Sequence, residues 1–281
     1  ANEYFRFFDT RIAEGITLSG QVIIRETAIA LDAYVNEVCG TKGETYSFYS
    51  DTDSCYITLK AVVDKFFADK DTNKLVDILD KIGTDQIEPC ISRAMDKLVD
   101  YTHAYEKKIF FKREAIADKA IWIAKKRYAM NVYDNEGTRY QVPQLKVMGL
   151  EIVRSSTPAP VRASLKEAVR LTLTTDEKTL QKFIEKTQKE FKSMSPEEIA
   201  FPRGCNNIGK YTCDTDIYAK GCPIHVRGSL LYNHYLDVNN ISHKYEKIQE
   251  GDKVKFLYLK EPNTMRENCI SFNSKIPAEF N

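Results

Sequence analysis

Two aspartates lie two residues apart where the sequence predicts a hairpin. Asp51 and Asp53 stand between two short runs of aromatic and β-branched residues, 46–49 and 55–59. Such runs are typical of strands, and the small polar cluster between them is typical of a turn. Side chains at positions i and i+2 of an extended segment project to the same side, where two like charges repel unless a cation lies between them. A hard divalent ion such as magnesium, held by one or two carboxylates and substrate phosphates, suits this pair.

Two other interpretations of the pair are a solvated turn and a calcium loop. An Asp-x-Asp triplet in a loop is often only solvated. A calcium loop of the EF-hand type needs an oxygen ligand at its fifth position and glycine at its sixth, whereas this chain has Cys55 and Tyr56 there. The apolar strand pattern on both sides favours a positioned cation site, because a solvated loop would not need it.

A basic stretch follows between residues 101 and 170, where fourteen Lys and Arg exceed seven Asp and Glu by +7. We predict two strands there, over residues 107–117 and 120–132, with a turn at Asp118-Lys119. Basic residues interleaved with aromatic ones suit a nucleic-acid backbone and its bases, and the alternative is a solvated sheet face. Glu114 either serves a metal site or pairs with Arg113 or Lys125. The basic and aromatic residues concerned are Lys107, Lys108, Phe110, Phe111, Lys112, Arg113, Trp122, Lys125, Lys126, Arg127 and Tyr128.

A candidate phosphate site precedes a helix predicted over residues 159–173. Thr157 is a favourable N-cap, and Pro158 is a favourable first helical residue. The segment Arg154-Ser155-Ser156 brings an arginine and two hydroxyls to that helix N-terminus, which makes phosphate binding reasonable. The alternative is an ordinary capped helix.

Residues 204–210 match the G-x-x-x-x-G-K pattern of phosphate loops. That motif needs Ser or Thr next, a strand before it and a helix after it. Here Tyr211 follows and Pro202 precedes, so we do not expect a nucleotide-binding loop. The triplet Asp214-Thr215-Asp216 repeats the hairpin triplet without flanking strands and is expected to be a surface turn. The four histidines have no zinc spacing.

Apolar spacing predicts the other elements. We expect Gly40 to end the first helix, and Gly83 and Pro89 to kink or break the third. Thr174-x-x-Glu177 and Ser195-x-x-Glu198 are capping-box patterns that mark helix starts. The predicted helices cover residues 18–38, 61–68, 73–105, 176–194 and 225–238, the strands cover 253–259 and 269–272, and a turn covers 134–137.

The composition is that of a globular protein. The chain has 281 residues, 43% of them hydrophobic and 29% charged, and a net charge of +1. A polyanionic partner would therefore need a local cluster of basic residues, because the net charge of the chain is too small to attract it. Seven cysteines without a C-x-x-C pair, and no signal peptide, indicate reduced thiols in a cytoplasm. No stretch approaches a membrane span. The sequence starts at Ala1 rather than at a methionine and stops at Asn281 without an obvious end signal. Both features are consistent with a fragment of a longer protein.

Five motifs in order resemble those of family B DNA polymerases. Residues 48–54, with the sequence Phe-Tyr-Ser-Asp-Thr-Asp-Ser, resemble the third sequence motif of that family. Lys125-Lys126-Arg127-Tyr128, preceded by residues 113–117, resembles its Lys-Lys-Arg-Tyr palm motif. Similarity to the thumb of T-even-like bacteriophage DNA polymerases covers residues 146–158, residues 206–208 with Lys210-Tyr211, and residues 225–228 with Tyr232-Asn233.

The resemblance implies an α+β fold. Residues 1–153 would form the C-terminal part of a polymerase palm, an antiparallel sheet with packed helices, and residues 154–281 a mainly helical partial thumb. The implied reaction is template-directed addition of a deoxynucleotide to a primer 3′ end, with two magnesium ions about 3.5–4 Å apart. The implied partners are primer–template DNA and deoxynucleoside triphosphates, in the host-cell cytoplasm if the protein is phage-encoded.

The resemblance also implies roles for individual residues. Asp53 would bridge both magnesium ions, Asp51 would add negative field beside it, and Glu114 would be a nearby acid. Lys126 and Tyr128 would contact the primer-terminal pair and the primer backbone. The other candidates for contacts with primer–template DNA are Thr52, Lys125, Arg127, Arg154, Ser155, Ser156, Asn207, Lys210, His225 and Arg227.

The chain departs from the family at two positions and in the parts of the polymerase that it covers. Ser50 stands where the family usually has glycine, and Lys112 stands where the T-even-like enzymes carry an acid. The Asp of the first motif, the fingers, the exonuclease domain and the clamp-binding tail are not in this sequence. We therefore expect the chain alone to be inactive, as a piece of a longer polymerase or one subunit of a split one. The alternative function is a non-catalytic module that binds duplex DNA, and a nucleotide hydrolase ranks last.

Overall fold

The computed structural model describes residues 2–280, which divide into two compact units. Of these residues, 2–119 and 131–144 form the first unit, and 120–130 and 145–280 form the second. Helices and antiparallel sheets occur together, which confirms the predicted α+β class. Among the described residues, no helix is both long enough and apolar enough to cross a membrane.

The first unit is built around one long helix, α1 (Thr10–Cys39). The amide of Gly40, at φ 69°, bonds the carbonyls of Asn36 and Glu37, which confirms this glycine as the helix stop. The helix begins eight residues before the predicted start at 18, because Asp9 caps it by accepting the amide of Arg11. Ile12 and Ile16 in this first part have helical spacing, but Gly15 lowers the helix propensity there, and the start was missed.

Three more helices complete the helical part of the first unit. They are α2 (Lys60–Phe66), α3 (Thr72–Ile82) and α4 (Glu88–Thr102), and α3 and α4 are joined by a π-helical turn, Gly83–Ile87. The irregularity expected at Gly83 is therefore confirmed. Pro89 does not break the helix, because it lies in the first turn of α4, where its missing N–H has no helical partner to lose.

The predicted hairpin around the two aspartates is confirmed. Strands β1 (Ser47–Asp51) and β2 (Ser54–Ile57) pair antiparallel, with Asp51 opposite Ser54. The carboxylate of Asp32 on α1 fixes the start of β1. It accepts the amides of Tyr46 and Ser47 at 2.9 and 2.7 Å and the Ser47 hydroxyl at 2.8 Å. The hairpin is thus attached to the long helix by one carboxylate with three donors.

The strand boundaries predicted over residues 107–132 were wrong. The strands are β3 (Ala115–Ala124), β4 (Arg127–Asn135) and β5 (Thr138–Met148), in that order in one sheet. Asp118 and Lys119 lie inside β3 rather than in a turn. The Asp118 carboxylate accepts a hydrogen bond of 2.7 Å from the Asn131 amide group, so this polar residue has a partner across the strands. The chain turns at Lys125-Lys126 instead.

The turn predicted at residues 134–137 is confirmed, with Glu136 at φ 51° and Gly137 at φ 83°. Positive φ at both central residues is the geometry of a tight type I′ hairpin turn. Strand β5, which follows it, was missed by the sequence. Its apolar residues alternate with polar ones at Tyr140-Gln141-Val142 and again at Leu145-Lys146-Val147, but Pro143 interrupts the run, and a proline within a run argues against a strand.

Three α-helices of the second unit follow β5. They are α5 (Ala159–Thr174), α6 (Glu177–Ser193) and α7 (Pro196–Ile199). Thr157 does not cap α5, because Pro158 occupies the cap position and the Thr157 hydroxyl donates to the Glu151 carbonyl at 2.8 Å. The expected cap at Thr174 is also wrong.

Thr174 is the last residue of α5, and its hydroxyl donates to the Arg170 carbonyl at 2.7 Å. Asp176 caps α6 instead, by accepting the amide of Thr179 at 2.8 Å. The capping box predicted at Ser195 and Glu198 is confirmed.

The core of the second unit lies between one helix and one sheet. Helix α8 (Ile224–Val238) packs on the antiparallel sheet of β6 (Phe201–Gly204), β7 (Lys253–Tyr258) and β8 (Cys269–Phe272). Gly228 permits this approach, since a Cβ there would lie 2.8 Å from the amide nitrogen of Ser271. The predicted helix and the two closing strands are confirmed, and β6 was missed.

We predict that Asp32→Asn lowers the free energy of unfolding by about 1–3 kcal/mol, because hydrogen bonds to a charged acceptor contribute about 1.5–3 kcal/mol and part of them survives in the amide. Urea denaturation measures the change. Asp64→Asn is the matched control, because Asp64 is exposed and forms an ion pair with Lys60 one turn away along α2. That exposed pair is worth about 0.3–0.5 kcal/mol. Equal losses in the two variants would contradict the anchoring role of Asp32.

Candidate functional site

The tip of the first hairpin brings Asp51 and Asp53 together in a tight turn. Thr52 has φ 57°, and the amide of Asp53 donates to the carbonyl of Asp51 at 2.7 Å. The hydroxyl of Thr52 donates to the Asp51 carboxylate at 3.1 Å, and the hydroxyl of Ser54 donates to the Asp51 carbonyl at 3.1 Å. The extended geometry that we assumed for residues 51–53 does not apply. The turn itself is what brings the two aspartates into proximity.

Thr52 is a β-branched residue in left-handed backbone, which is an uncommon and strained combination. Residues held in such conformations cost about 1–3 kcal/mol and cluster at functional sites. Ser50, by contrast, lies in β1 opposite Cys55 and is not among the described residues with positive φ. The turn therefore does not need glycine at residue 50.

The hairpin tip offers oxygen ligands but an incomplete set of them. Asp51 is half-buried and Asp53 is exposed. Across residues 2–280, no three His, Cys, Asp or Glu side chains gather in a way that could hold a metal ion. Burial, with the nearby charge of Asp32, raises the pKa of the Cys55 thiol to about 11. This neighbour therefore stays protonated near neutral pH, and a thiol must be deprotonated to bind a metal.

Glu114 lies at the end of a segment that ion pairs hold in place. The guanidinium of Arg113 contacts Asp80 at 2.6 Å and Asp134 at 2.5 Å. The amide of Glu136 donates to the Glu114 carbonyl at 2.6 Å. Asp134 is almost fully buried and also accepts from the amide of Gly137 at 3.0 Å. The backbone of Glu114 is thereby fixed against the β4–β5 hairpin.

Lys112, Arg113 and Glu114 border a polar cavity of about 450 Å³ together with residues of α3, α4 and the π-helical turn. Its acids are Asp80, Glu88, Glu114 and Glu136. The position of Lys112 in this wall adds a positive charge beside Glu114.

The Lys125–Tyr128 motif forms the tight turn between β3 and β4. Lys125 and Lys126 are exposed, and Lys126 has φ 60°. The guanidinium of Arg127 contacts both carboxylate oxygens of Glu151, at 3.1 and 2.9 Å. Tyr128 is only 5% exposed, and its ring stacks on Trp122 with centroids 5.4 Å apart. The two lysines lie on the surface of the turn, whereas the tyrosine ring supports the turn from inside.

Gly149 permits this turn to pack closely. It has φ 66°, and a Cβ on it would run into the carbonyl oxygen of Lys126 and lie 3.1 Å from the Lys126 carbonyl carbon. Any side chain at residue 149 would therefore displace the lysine turn.

The segment Arg154-Ser155-Ser156 leads from a short 3₁₀ turn, Glu151–Val153, into α5. Arg154 and Ser155 are exposed, and Ser156 is half-buried. The carbonyl of Arg154 accepts the amide of Thr157 at 3.1 Å. These residues do lie together before a helix, as the sequence predicted.

Residues 204–210 do not form a phosphate loop of the nucleotide-hydrolase type. A short 3₁₀ turn, Ile208–Tyr211, follows the loop where that motif requires an α-helix. The amides of Asn207 and Ile208 donate to the two carboxylate oxygens of Glu250, at 2.7 and 2.8 Å. Asn207 and Lys210 are exposed, and the ammonium of Lys210 lies 5.5 Å from the ring centroid of Tyr211.

His225 and Arg227 lie in the first turn of α8, and both are half-buried. The guanidinium of Arg227 bonds the side chain of Asn268 and lies 5.5 Å from the ring centroid of Tyr218. Burial, and then the charge of Arg203, lower the pKa of His225. Arg227 therefore has internal partners, and His225 favours its neutral form.

Three residues of this arrangement were not found from the sequence: Asp134, Gly149 and Glu250. Asp134 was assigned only to a turn. Gly149 follows an apolar run and could have been noticed as a glycine at the end of a strand, where close backbone approach is common. For Glu250, no local pattern indicates a contact with residues more than forty positions earlier.

We predict that Gly149→Ala is more destabilising than Gly221→Ala. Both glycines have left-handed φ, but a Cβ at Gly221 meets nothing within 4 Å. Gly221→Ala should therefore cost only the backbone strain of about 1–2 kcal/mol, and Gly149→Ala should add the clash with Lys126. Urea unfolding measures both. The emission of Trp122, the single tryptophan, should shift only in Gly149→Ala. Equal costs and unchanged emission would argue against the close approach.

We predict that His225→Gln reduces the loss of stability on acidification. A histidine whose pKa is lowered in the folded state makes its full contribution to stability at pH values above 6.5, its pKa in the unfolded chain. That contribution is lost as the pH falls, because the unfolded chain takes up the proton first. Between about pH 7 and pH 5, either side of the ordinary histidine pKa, wild type should lose more stability than His225→Gln. The exposed His243 provides the control His243→Gln, which should follow wild type.

The sequence was compared with known proteins. No family model matches it. The DNA-directed DNA polymerase of Escherichia phage RB69 is 40% identical over 283 residues, which is 97% of this chain and 31% of that polymerase. The DNA-directed DNA polymerase of Enterobacteria phage T4 is 36% identical over 291 residues, which is 99% of this chain and 32% of that polymerase.

The chain therefore spans about a third of the length of these relatives. The similarity covers nearly every residue of the chain, so it includes the hairpin, the lysine turn and the loops of the second unit. Nearly the whole chain is thus related to a segment of the DNA-directed DNA polymerases of phages RB69 and T4, which confirms the resemblance to phage polymerases that its motifs predicted.

Proposed function

We propose that this chain supplies the C-terminal palm and part of the thumb of a DNA-directed DNA polymerase. Residues 1–153 are the palm portion and residues 154–281 the thumb portion. The observation that carries the proposal is the hairpin turn Asp51-Thr52-Asp53, with two carboxylates at its tip, in a chain 36–40% identical to phage DNA polymerases. The reaction is transfer of a deoxynucleotide from its triphosphate to a primer 3′ end, directed by a template.

Magnesium fits the kind of donor at the hairpin tip, because carboxylate oxygens are its preferred protein ligands. Asp53 and Asp51 would hold it, with Glu114 as a nearby acid. Two such ions would neutralise and align the phosphate groups of the reaction. The chain itself provides two carboxylates and holds them in a strained turn tied to α1 through Asp32. With no cluster of three possible ligands among residues 2–280, further ligands must come from elsewhere.

We assign the contacts with primer–template DNA to exposed groups in four segments of the chain. Lys125 and Lys126 supply positive charge at the β3–β4 turn, and Thr52 lies beside the two aspartates. Phosphate contacts position a duplex without reading its sequence, as a replicative enzyme requires. In the thumb portion, the exposed contact groups are Arg154, Ser155, Asn207 and Lys210. We assign Ser156, Arg127, Tyr128, His225 and Arg227 to supporting these segments, because they are half-buried or buried and four of them have internal contacts.

The remainder of the relatives' length would supply the rest of the active site. The relatives are about three times as long as the matched segment. We propose that the N-terminal palm and fingers, in the same protein or in a separate subunit, contribute the missing carboxylate and the nucleotide-binding helix. This chain alone would then be inactive.

Primer extension tests this proposal. The chain is mixed with a fragment that carries the missing palm and fingers, and DNA synthesis is measured with magnesium. The mixture should be active and the chain alone inactive. Asp53→Asn should reduce the rate at least about a hundredfold, as loss of one preorganised electrostatic group typically does. Asp216→Asn is the matched control, because Asp214-Thr215-Asp216 repeats the triplet without flanking strands, and it should retain the activity of the mixture.

The outcomes separate the alternatives. Synthesis by the chain alone would overturn the incomplete-site argument, and full activity of the Asp53→Asn mixture would overturn the assignment of the hairpin. A mixture that binds duplex DNA with strong salt dependence, but never extends a primer, would identify a non-catalytic duplex-binding module instead.

A further inference from the structure

Glu250 makes an unusual contact with the loop at residues 206–210. Its two carboxylate oxygens accept the consecutive amides of Asn207 and Ile208, at 2.7 and 2.8 Å. Glu250 and Asn207 are both exposed. The contact is therefore not needed to bury either residue, and its effect is on the conformation of the loop.

Consecutive backbone amides that point at one place form a concavity for an anion, and it commonly includes a residue in left-handed backbone. Asn207 has φ 60°, and its carbonyl accepts the amide of Lys210 at 3.1 Å. Ile208 and Tyr211 pack against the core of the second unit, so the two amides of Asn207 and Ile208 are the part of the turn that needs an anion. Glu250 supplies that anion from within the chain.

The base of the loop is rigid. Cys205 is fully buried in the core of the second unit, its amide donates to the Asp252 carbonyl at 2.7 Å, and its carbonyl accepts the amide of Gly251 at 2.7 Å. Gly204 pairs with Lys253 in the β6–β7 ladder. Glu250 thus projects from a fixed frame on to an exposed turn that carries Asn207 and Lys210.

We propose that Glu250 is a positioning residue for DNA binding: it holds the exposed loop in one conformation, so that Asn207 and Lys210 contact backbone phosphates of a duplex. This inference rests on the proposed function. Glu250 does not itself contact the DNA. It reduces the ordering cost that binding would otherwise incur, which is the usual gain from preorganisation.

The sign of the mutational effect identifies this role. An acid near a DNA surface repels phosphates, so removal of an ordinary acid should leave duplex affinity unchanged or raise it. Removal of a positioning acid should lower the affinity although the chain becomes more positive. Glu250→Gln keeps the size of the side chain but turns an NH₂ group toward one of the two amides. Glu246→Gln is the matched control, because Glu246 is an exposed acid four residues earlier.

The experiment measures binding of the full chain to a primer–template duplex by fluorescence anisotropy over a series of salt concentrations. Glu250→Gln should bind roughly five- to thirtyfold more weakly than wild type, and the log–log salt slope should fall by about 0.9 for each phosphate that the variant no longer neutralises. Glu246→Gln should bind within about twofold of wild type or more tightly. The amides of Asn207 and Ile208 should exchange with solvent faster only in Glu250→Gln.

A double-mutant cycle with Lys210→Gln distinguishes positioning from general loss of structure. Lys210→Gln should weaken binding in wild type and much less in the Glu250→Gln background, because Lys210 is then no longer held in place. The effects should simply add if Glu250 has only a structural role. Thermal unfolding identifies any variant that fails to fold, and Glu250→Asp, whose shorter side chain cannot span both amides, then replaces Glu250→Gln.

Two results would overturn the proposal in distinguishable ways. If wild type binds the duplex and Glu250→Gln binds as tightly as Glu246→Gln, the positioning role is wrong while the DNA-binding function stands. If wild type shows no salt-dependent binding, the proposed contacts of the thumb portion are wrong, and the role of Glu250 is lost with them.

Discussion

Left-handed backbone at residues other than glycine is the constraint on which the proposed sites depend. Three of the seven such residues described between residues 2 and 280 lie in these turns: Thr52, Lys126 and Asn207. Such backbone costs about 1–3 kcal/mol at an ordinary residue, and less at asparagine, whose short polar side chain tolerates it. Each is compensated locally, by hydrogen bonds to Asp51, by close packing on Gly149, or by the carboxylate of Glu250. The turns that present charge to a ligand are thus the parts of the chain that need support.

Two kinds of acid follow from this arrangement. Asp32, Asp134 and Glu250 accept several hydrogen bonds or ion pairs each and hold segments of backbone in place. Asp53 lies exposed at the tip of a turn, and Asp51 beside it receives the Thr52 hydroxyl. The sequence alone cannot separate the two kinds, because the donors that satisfy a carboxylate come from distant positions in the chain. Only the fold shows which acids lie where a cation can reach them.

The sequence predicted the elements whose signals are local. The hairpin, the stop of α1 at Gly40, the break at Gly83 and the capping box at Ser195 all follow from residue types within a few positions. The strand boundaries predicted near Asp118 were wrong, because Asp118 lies within β3 and accepts a hydrogen bond from Asn131 on the neighbouring strand. The predicted N-cap of α5 was wrong by one residue, because the Thr157 hydroxyl donates to the carbonyl of Glu151 instead. Within the site, the motifs predicted where the charged turns lie, but they did not predict the buried residues that hold those turns in place.

The loop at residues 204–210 shows why a matching pattern does not establish a function. Glycines and a lysine at phosphate-loop spacing do produce consecutive amides that face an anion, as that motif would. The anion is Glu250 of the same chain, and no α-helix follows to add its dipole. A bound nucleotide phosphate would have to displace a carboxylate that already makes two charge-assisted hydrogen bonds. The same backbone chemistry that binds nucleotides in hydrolases is used here to fix a turn, and this leaves Lys210, rather than the amides, as the group that can reach a phosphate.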